Sequence, residues 1–138
     1  MMKRITLITI LIFSVLLLTA QDYSKLTAAF SDSYAKEKSG KYGDAASALK
    51  AYYDADSYEI NLRLGWLTYL QGQFEESLGY YNKAIELMPY AIEPRLGVVL
   101  PASSLGNWDL VMTHYNKILS IDPNNTLTLY RMGLIMYD

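Results

Sequence analysis

Tyr58–Ala91, YEINLRLGWLTYLQGQFEESLGYYNKAIELMPYA, is the stretch whose reading decides the fold. It reads as two helices and a turn. The first helix runs to about Gln71 and is broken by Gly72; the second runs from Phe74 to Leu87 and stops at Met88-Pro89. Proline disfavours helical geometry at the residue before it, so that stop has a steric cause. Shifted by 34 positions, the chain meets itself again: Gly72 falls on Gly106, Tyr81-Asn82-Lys83 on Tyr115-Asn116-Lys117, Leu87 on Ile121 and Pro89 on Pro123. A second shift lays Leu64-Gly65 over Met132-Gly133 and Arg63 over Arg131. A helix–turn–helix unit at this period predicts a solenoid, because one such unit cannot bury its own apolar face and must stack.

The packing inside one unit follows from its small residues. Leu64, Gly65 and Thr68 share a stripe of the first helix, and Gly65 lets the second helix come close. Ser77, Tyr81 and Ala84 form the facing stripe. On these residues the stretch resembles a tetratricopeptide repeat, and the resemblance implies an all-α, α-solenoid architecture. It departs from the family's pattern in having Asn61 and Thr68 where large aromatics are expected. A plain helical hairpin in a bundle would need the period, the glycine and both prolines to coincide.

Upstream, Met1–Gln21 stands apart. Lys3-Arg4, the apolar run ITLITILIFSVLLL and Thr19-Ala20-Gln21 have the order of a secretory signal peptide cut after Ala20. The apolar run would rise about 21 Å as a helix, short of a hydrocarbon core of about 30 Å. A membrane association would come only through an uncleaved signal. The expectation is therefore an exported protein, periplasmic or secreted, most in keeping with a bacterial source. Removing Lys3 and Arg4 from the 12 basic residues leaves 10 against 14 acidic ones, a formal charge of −4. A chain so charged has no electrostatic basis for holding nucleic acid. With no cysteine, stability rests on stacked helices without disulfides.

The units then follow in order. Residues 22–57 read as a degenerate first repeat, with Leu26, Ala29, Phe30 and Ala35 inward, Lys36, Glu37 and Lys38 solvated, a turn at Gly40, and Asp44 capping a second helix that buries Ala45, Leu49 and Tyr52. Residues 58–91 are the central repeat. Residues 92–125 form the next, where Val98-Val99 replaces Leu-Gly and Pro101 falls mid-helix. Pro101 lacks the amide proton that would reach Gly97, which predicts a bend or break between Val98 and Ser103. Asp122-Pro123-Asn124-Asn125 launches 126–138, the first helix of a further repeat. Its apolar residues surround the helix, so a second helix is expected beyond Asp138, with more repeats or another domain.

No residue set for catalysis, cofactor or metal stands out. His114, the one histidine, has no acid or nucleophile in register and is expected to face outward beside Tyr115. Glu75-Glu76 sit in a first helical turn, where acids complement the dipole. A non-catalytic reading follows. The resemblance implies that the first helices of successive repeats line a concave groove that holds ligands. By register this groove receives Phe30, Tyr34 and Lys38 from the first unit. The central unit adds Glu59, Leu62, Arg63, Trp66, Tyr69 and Leu70, and the last helix Tyr130, Arg131, Leu134 and Tyr137. Tyr34, Leu62, Arg63, Trp66, Tyr69, Leu70, Tyr130 and Arg131 are the candidate partner-binding residues. Aromatic rings bring apolar area with a polar tip, and arginine grips a carboxylate at two points. Trp66 is equally suited to inter-repeat packing. Some members of the family clamp a partner's terminal carboxylates with lysine and asparagine; here those places carry Phe30, Tyr34 and Gly97, so only the arginine element matches. The expected function is a scaffold for a protein or peptide. The alternative is an envelope glycan binder that stacks its aromatics on sugar rings, and fold alone does not separate the two.

Overall fold

A computed structural model describes residues 22–137, and the predicted signal peptide lies outside them. Among the described residues seven helices follow one another: α1 (residues 22–38), α2 (Tyr42–Lys50), α3 (Tyr58–Leu70), α4 (Phe74–Leu87), α5 (Glu93–Ser104), α6 (Trp108–Ile121) and α7 (Thr126–Tyr137). From α2 onward each helix packs on its successor, and α3 also meets α5 across the stack. This is the helix–turn–helix solenoid that the period predicts.

Three turns carry the repeat. Gly40, Gly72 and Gly106 all have φ near +70° (73°, 75° and 70°), a left-handed geometry that closes a helix without a Cβ penalty. The residue after each glycine donates its amide back to the preceding helix at 2.9 Å: Lys41 to Lys36, Gln73 to Thr68, Asn107 to Ala102. The degenerate first unit therefore turns like the other two. Its second helix begins earlier than expected: Lys41 occupies the cap position without a side-chain bond, and Asp44 lies in the first turn instead of capping. Ala45 and Leu49 are buried, whereas Tyr52 lies past the helix end and is exposed. Ala35 is also exposed, and Ser33 takes the inward position.

Tyr81 joins one repeat to the next. It projects from α4 between α3 and α5, with Gly65 beneath one side and Gly97 beneath the other. A Cβ on Gly65 would stand 2.8 Å from the ring, and one on Gly97 would penetrate it. Beside this contact the Ser77 hydroxyl donates to the Gly65 carbonyl at 2.7 Å, satisfying a buried acceptor between the helices. Asn61, standing where the repeat pattern has a large aromatic, is fully buried. Its amide donates to the carbonyls of Ala55 (3.1 Å) and Ser57 (2.8 Å), and its oxygen accepts from the Tyr53 hydroxyl at 3.2 Å. It thus ties the α2–α3 connection to the start of α3.

The expected break at Pro101 is absent. α5 runs continuously from Glu93 to Ser104 through the proline, and Leu105 donates to the Pro101 carbonyl at 3.0 Å. Proline costs one backbone bond, but Pro101 is fully buried, and packing on its ring holds the helical path. Gly97, one turn before the proline, makes room for Tyr81.

Candidate functional site

The first helices of the successive units, α1, α3 and α5, line a cleft of about 730 Å³. α1 contributes Tyr23, Leu26, Phe30 and Tyr34; α3 contributes Glu59, Leu62, Arg63 and Trp66; Glu93 opens α5. A smaller cleft of about 300 Å³ adjoins it at Leu62, Trp66 and Glu93 and extends to Leu96, Leu100, Leu127 and Arg131. Sharing those three residues, the two clefts together reach from α1 to α7. Their walls are amphipathic because successive first helices expose positions three and four apart.

The electrostatics of the groove turn on Arg63. Its guanidinium lies 2.5 Å from a Glu37 carboxylate oxygen, donates to the Ser33 hydroxyl at 3.3 Å and stacks 3.9 Å over the Tyr34 ring. The Trp66 indole N–H donates to the other Glu37 oxygen at 2.6 Å. Burial alone would raise the Glu37 pKa; the bonds from Trp66 and Arg63 and the charge of Arg63 outweigh it and hold the carboxyl below its ordinary range. Arg63 is only 8% exposed. Arg63 thus meets a carboxylate within the chain at a single oxygen, its second amino group going to Ser33 and its Nε finding no partner among the described residues, and Glu37 is turned inward from the solvated position expected of it.

The other candidate residues divide. Tyr34, Leu62 and Trp66 line the main cleft, and Arg131 lines the smaller one. Trp66 lines the cleft and also packs against the buried clusters on either side of it. Tyr69 packs between Trp66 and Phe74, with ring centroids 5.8 and 5.9 Å away, and does not line the cleft. Leu70 is half-buried outside it. Tyr130 is exposed on α7 away from both clefts.

The sequence reading missed Tyr23, Leu26, Thr27 and Glu93 as lining residues. Leu26 was assigned to the core, yet its spacing to Phe30 and Tyr34 is the i, i+4, i+8 stripe that marks the groove wall. Glu93 lies at the start of α5, where its acidity reads as ordinary helix-end chemistry. His114, expected outside, is buried with Arg95, each 8% exposed. Arg95 donates to the Pro89 carbonyl at 2.7 Å, while Arg95 Nε and His114 Nδ1 lack partners among the described residues. Val111, His114, Tyr115 and Ile118 form an i, i+3, i+4, i+7 stripe, so the spacing contained the signal. Among the described residues no cluster of three or more metal-ligating side chains occurs, and no helix is long and apolar enough to cross a membrane.

No protein-family model matches the chain. Protein CTR9 homolog of Arabidopsis thaliana is 28% identical over 99 residues, 70% of this chain, which spans 9% of that protein's length. The translocator chaperone SycD of Yersinia enterocolitica superposes with a TM-score of 0.74 at 16% identity, over 88% of this chain and 96% of that one. In its complex with a peptide of the translocator YopD the score is 0.69, again at 16% identity, over 83% and 88%. The second TPR domain of human RPAP3, solved with the HSP70 peptide SGPTIEEVD, gives 0.72 at 15% identity, over 83% and 97%. The fold is that of tetratricopeptide-repeat domains.

Proposed function

We propose that this chain is a non-catalytic scaffold that holds a segment of another protein in the groove between α1, α3 and α5. The observation that carries the reading is the cleft itself, about 730 Å³ walled by Tyr23, Phe30, Tyr34, Leu62 and Trp66. An open trough with apolar walls and charges at its rim suits an extended peptide, whose side chains seat while its backbone stays solvated. The peptides bound by the RPAP3 domain and by SycD support the reading. Export follows from Lys3-Arg4 and the apolar run behind them. The mature protein would then begin near Gln21, and intact mass of the exported form tests this: retention of Met1–Ala20 in a membrane fraction refutes it.

Panning a displayed peptide library on the purified protein tests the groove. Enriched peptides should lose binding on Leu62→Ser and on Tyr34→Ala, which change the wall and leave the Glu37 carboxylate bonded to Arg63 and Trp66. Failure to enrich any peptide refutes the proposal. The glycan alternative predicts that oligosaccharides bind in calorimetry without a protein partner. It has less support, because the Trp66 ring packs 5.8 Å from Tyr69 and its N–H is held by Glu37.

A further inference from the structure

The charges along the groove select among peptides. Of the side chains lining the main cleft, three are of acidic or basic type: Glu59, Arg63 and Glu93. Arg63 is the sole cation, and its charge is matched by Glu37 at 2.5 Å. Glu59 and Glu93 make no ion pair among the described residues. Both are exposed on the rim, at the starts of α3 and α5. They also line the same cleft, and burial first, then the charges of Glu93 and Glu59, push the Tyr58 hydroxyl above its ordinary range. The apolar trough is therefore lined by two acidic side chains without ion-pair partners among the described residues and by an arginine paired within the chain.

Resting on the peptide-binding reading above, we infer that the α1–α3 half of the groove takes a segment carrying a large apolar or aromatic side chain beside a lysine or arginine. The apolar side chain seats among Leu26, Phe30, Leu62 and Trp66, and the cation faces Glu59 and Glu93. An acidic segment is disfavoured twice. It would meet those two carboxylates directly, and the guanidinium that could receive its own carboxylate is already occupied by Glu37. A peptide with the charge pattern of SGPTIEEVD would lack a receptor here. Arg131 does not change this, since it lies at the α7 end of the smaller cleft.

Two displayed libraries test the inference, identical in their apolar positions and differing only in having Lys/Arg or Asp/Glu at the rest. The full chain should enrich the basic library alone. A synthetic peptide from that selection should bind about tenfold more weakly to the doubly substituted Glu59→Gln/Glu93→Gln protein, as expected for two exposed charge contacts. Rising ionic strength should erase most of the difference. Both glutamates are exposed, and circular dichroism of the double variant verifies its fold. Enrichment of the acidic library to an equal or greater degree overturns the charge inference and leaves the peptide reading standing. An unchanged affinity on the double variant overturns it as well. Enrichment of neither library overturns the peptide reading itself.

Discussion

Tyr81 stacks its ring against two helices at once, and only hydrogen at Gly65 and Gly97 permits that approach. The close contact predicts a sharp contrast among glycine substitutions. Gly97→Ala and Gly65→Ala should each destabilise the protein by about 2 kcal/mol or more, the upper range for forcing a methyl into a packed contact. Gly79 and Gly133 are also helical, but a Cβ at either meets nothing within 4 Å. There alanine should stabilise by about 0.5–1 kcal/mol through helix propensity alone. Denaturant unfolding of the four variants decides it, and similar effects at all four sites would refute the wedge. A second residue-scale expectation concerns His114. Burial, then the charge of Arg95, lowers its pKa below the ordinary 6.5. The neutral form is thus favoured in the fold, while the unfolded chain still takes a proton near 6.5. Stability should be unaffected above that pH and fall as pH drops below it, until the folded-state pKa is passed. Comparing thermal midpoints at pH 7.5 and 5.5 for the parent and His114→Gln isolates the effect: the variant should lose the part of the decline that begins near 6.5. Equal declines would show that His114 does not contribute.

At the scale of helices, α1 is fastened to α3 by the carboxylate of Glu37, which receives Trp66 and Arg63 on its two oxygens. Glu37→Ala would leave a nearly buried guanidinium without its counter-charge. A cost of about 2–3 kcal/mol is expected, since removing one partner strands the other. Glu37→Gln should recover part of it by keeping an acceptor for one donor. Urea unfolding measures both, and a cost under about 0.5 kcal/mol for the alanine variant would show that the tie is dispensable. This tie also marks the limit of what the sequence disclosed. Helix, turn and glycine placement were legible because each depends on neighbours within one repeat: Gly65 to Tyr81, Gly72 to its own turn. The pairing of Arg63 with Glu37 crosses from the central unit to the degenerate first, where the 34-residue register slips and gives no guide to which side chain faces α3. Pro101 shows the converse limit. The missing backbone bond is a local fact, but the helix continues through Pro101 with that residue buried among neighbouring elements. The groove wall was legible by register at Tyr34, Leu62 and Trp66; Glu93 was not, because an acid at a helix start has an adequate local explanation.

At the scale of the whole stack, stability follows neighbours, since a solenoid's helices touch only those beside them. α3, α4 and α5 each bury residues against others on more than one side, and Leu64, Ala84, Val98 and Ala102 are fully enclosed. α7 packs through Met132 and Ile135 on the buried cluster that holds Tyr81, Val98, Val111 and Ile118, and only Thr128 is buried along its length. Leu134, Met136 and Tyr137 are 52%, 77% and 95% exposed. Hydrogen exchange should therefore show protection highest through α3–α5 and falling to its lowest among α3–α7 at α7, where opening costs few buried contacts. These exposed apolar side chains should make the protein bind an apolar reporter dye. Replacing Leu134 and Met136 together by lysine should remove most of that dye signal. Neither side chain joins the packed core, so unfolding free energy should change by no more than about 0.5 kcal/mol. A loss of several times that amount would show that α7 is an integral part of the core, and uniform exchange protection from α3 to α7 would show that the stack opens as one unit instead of from this end.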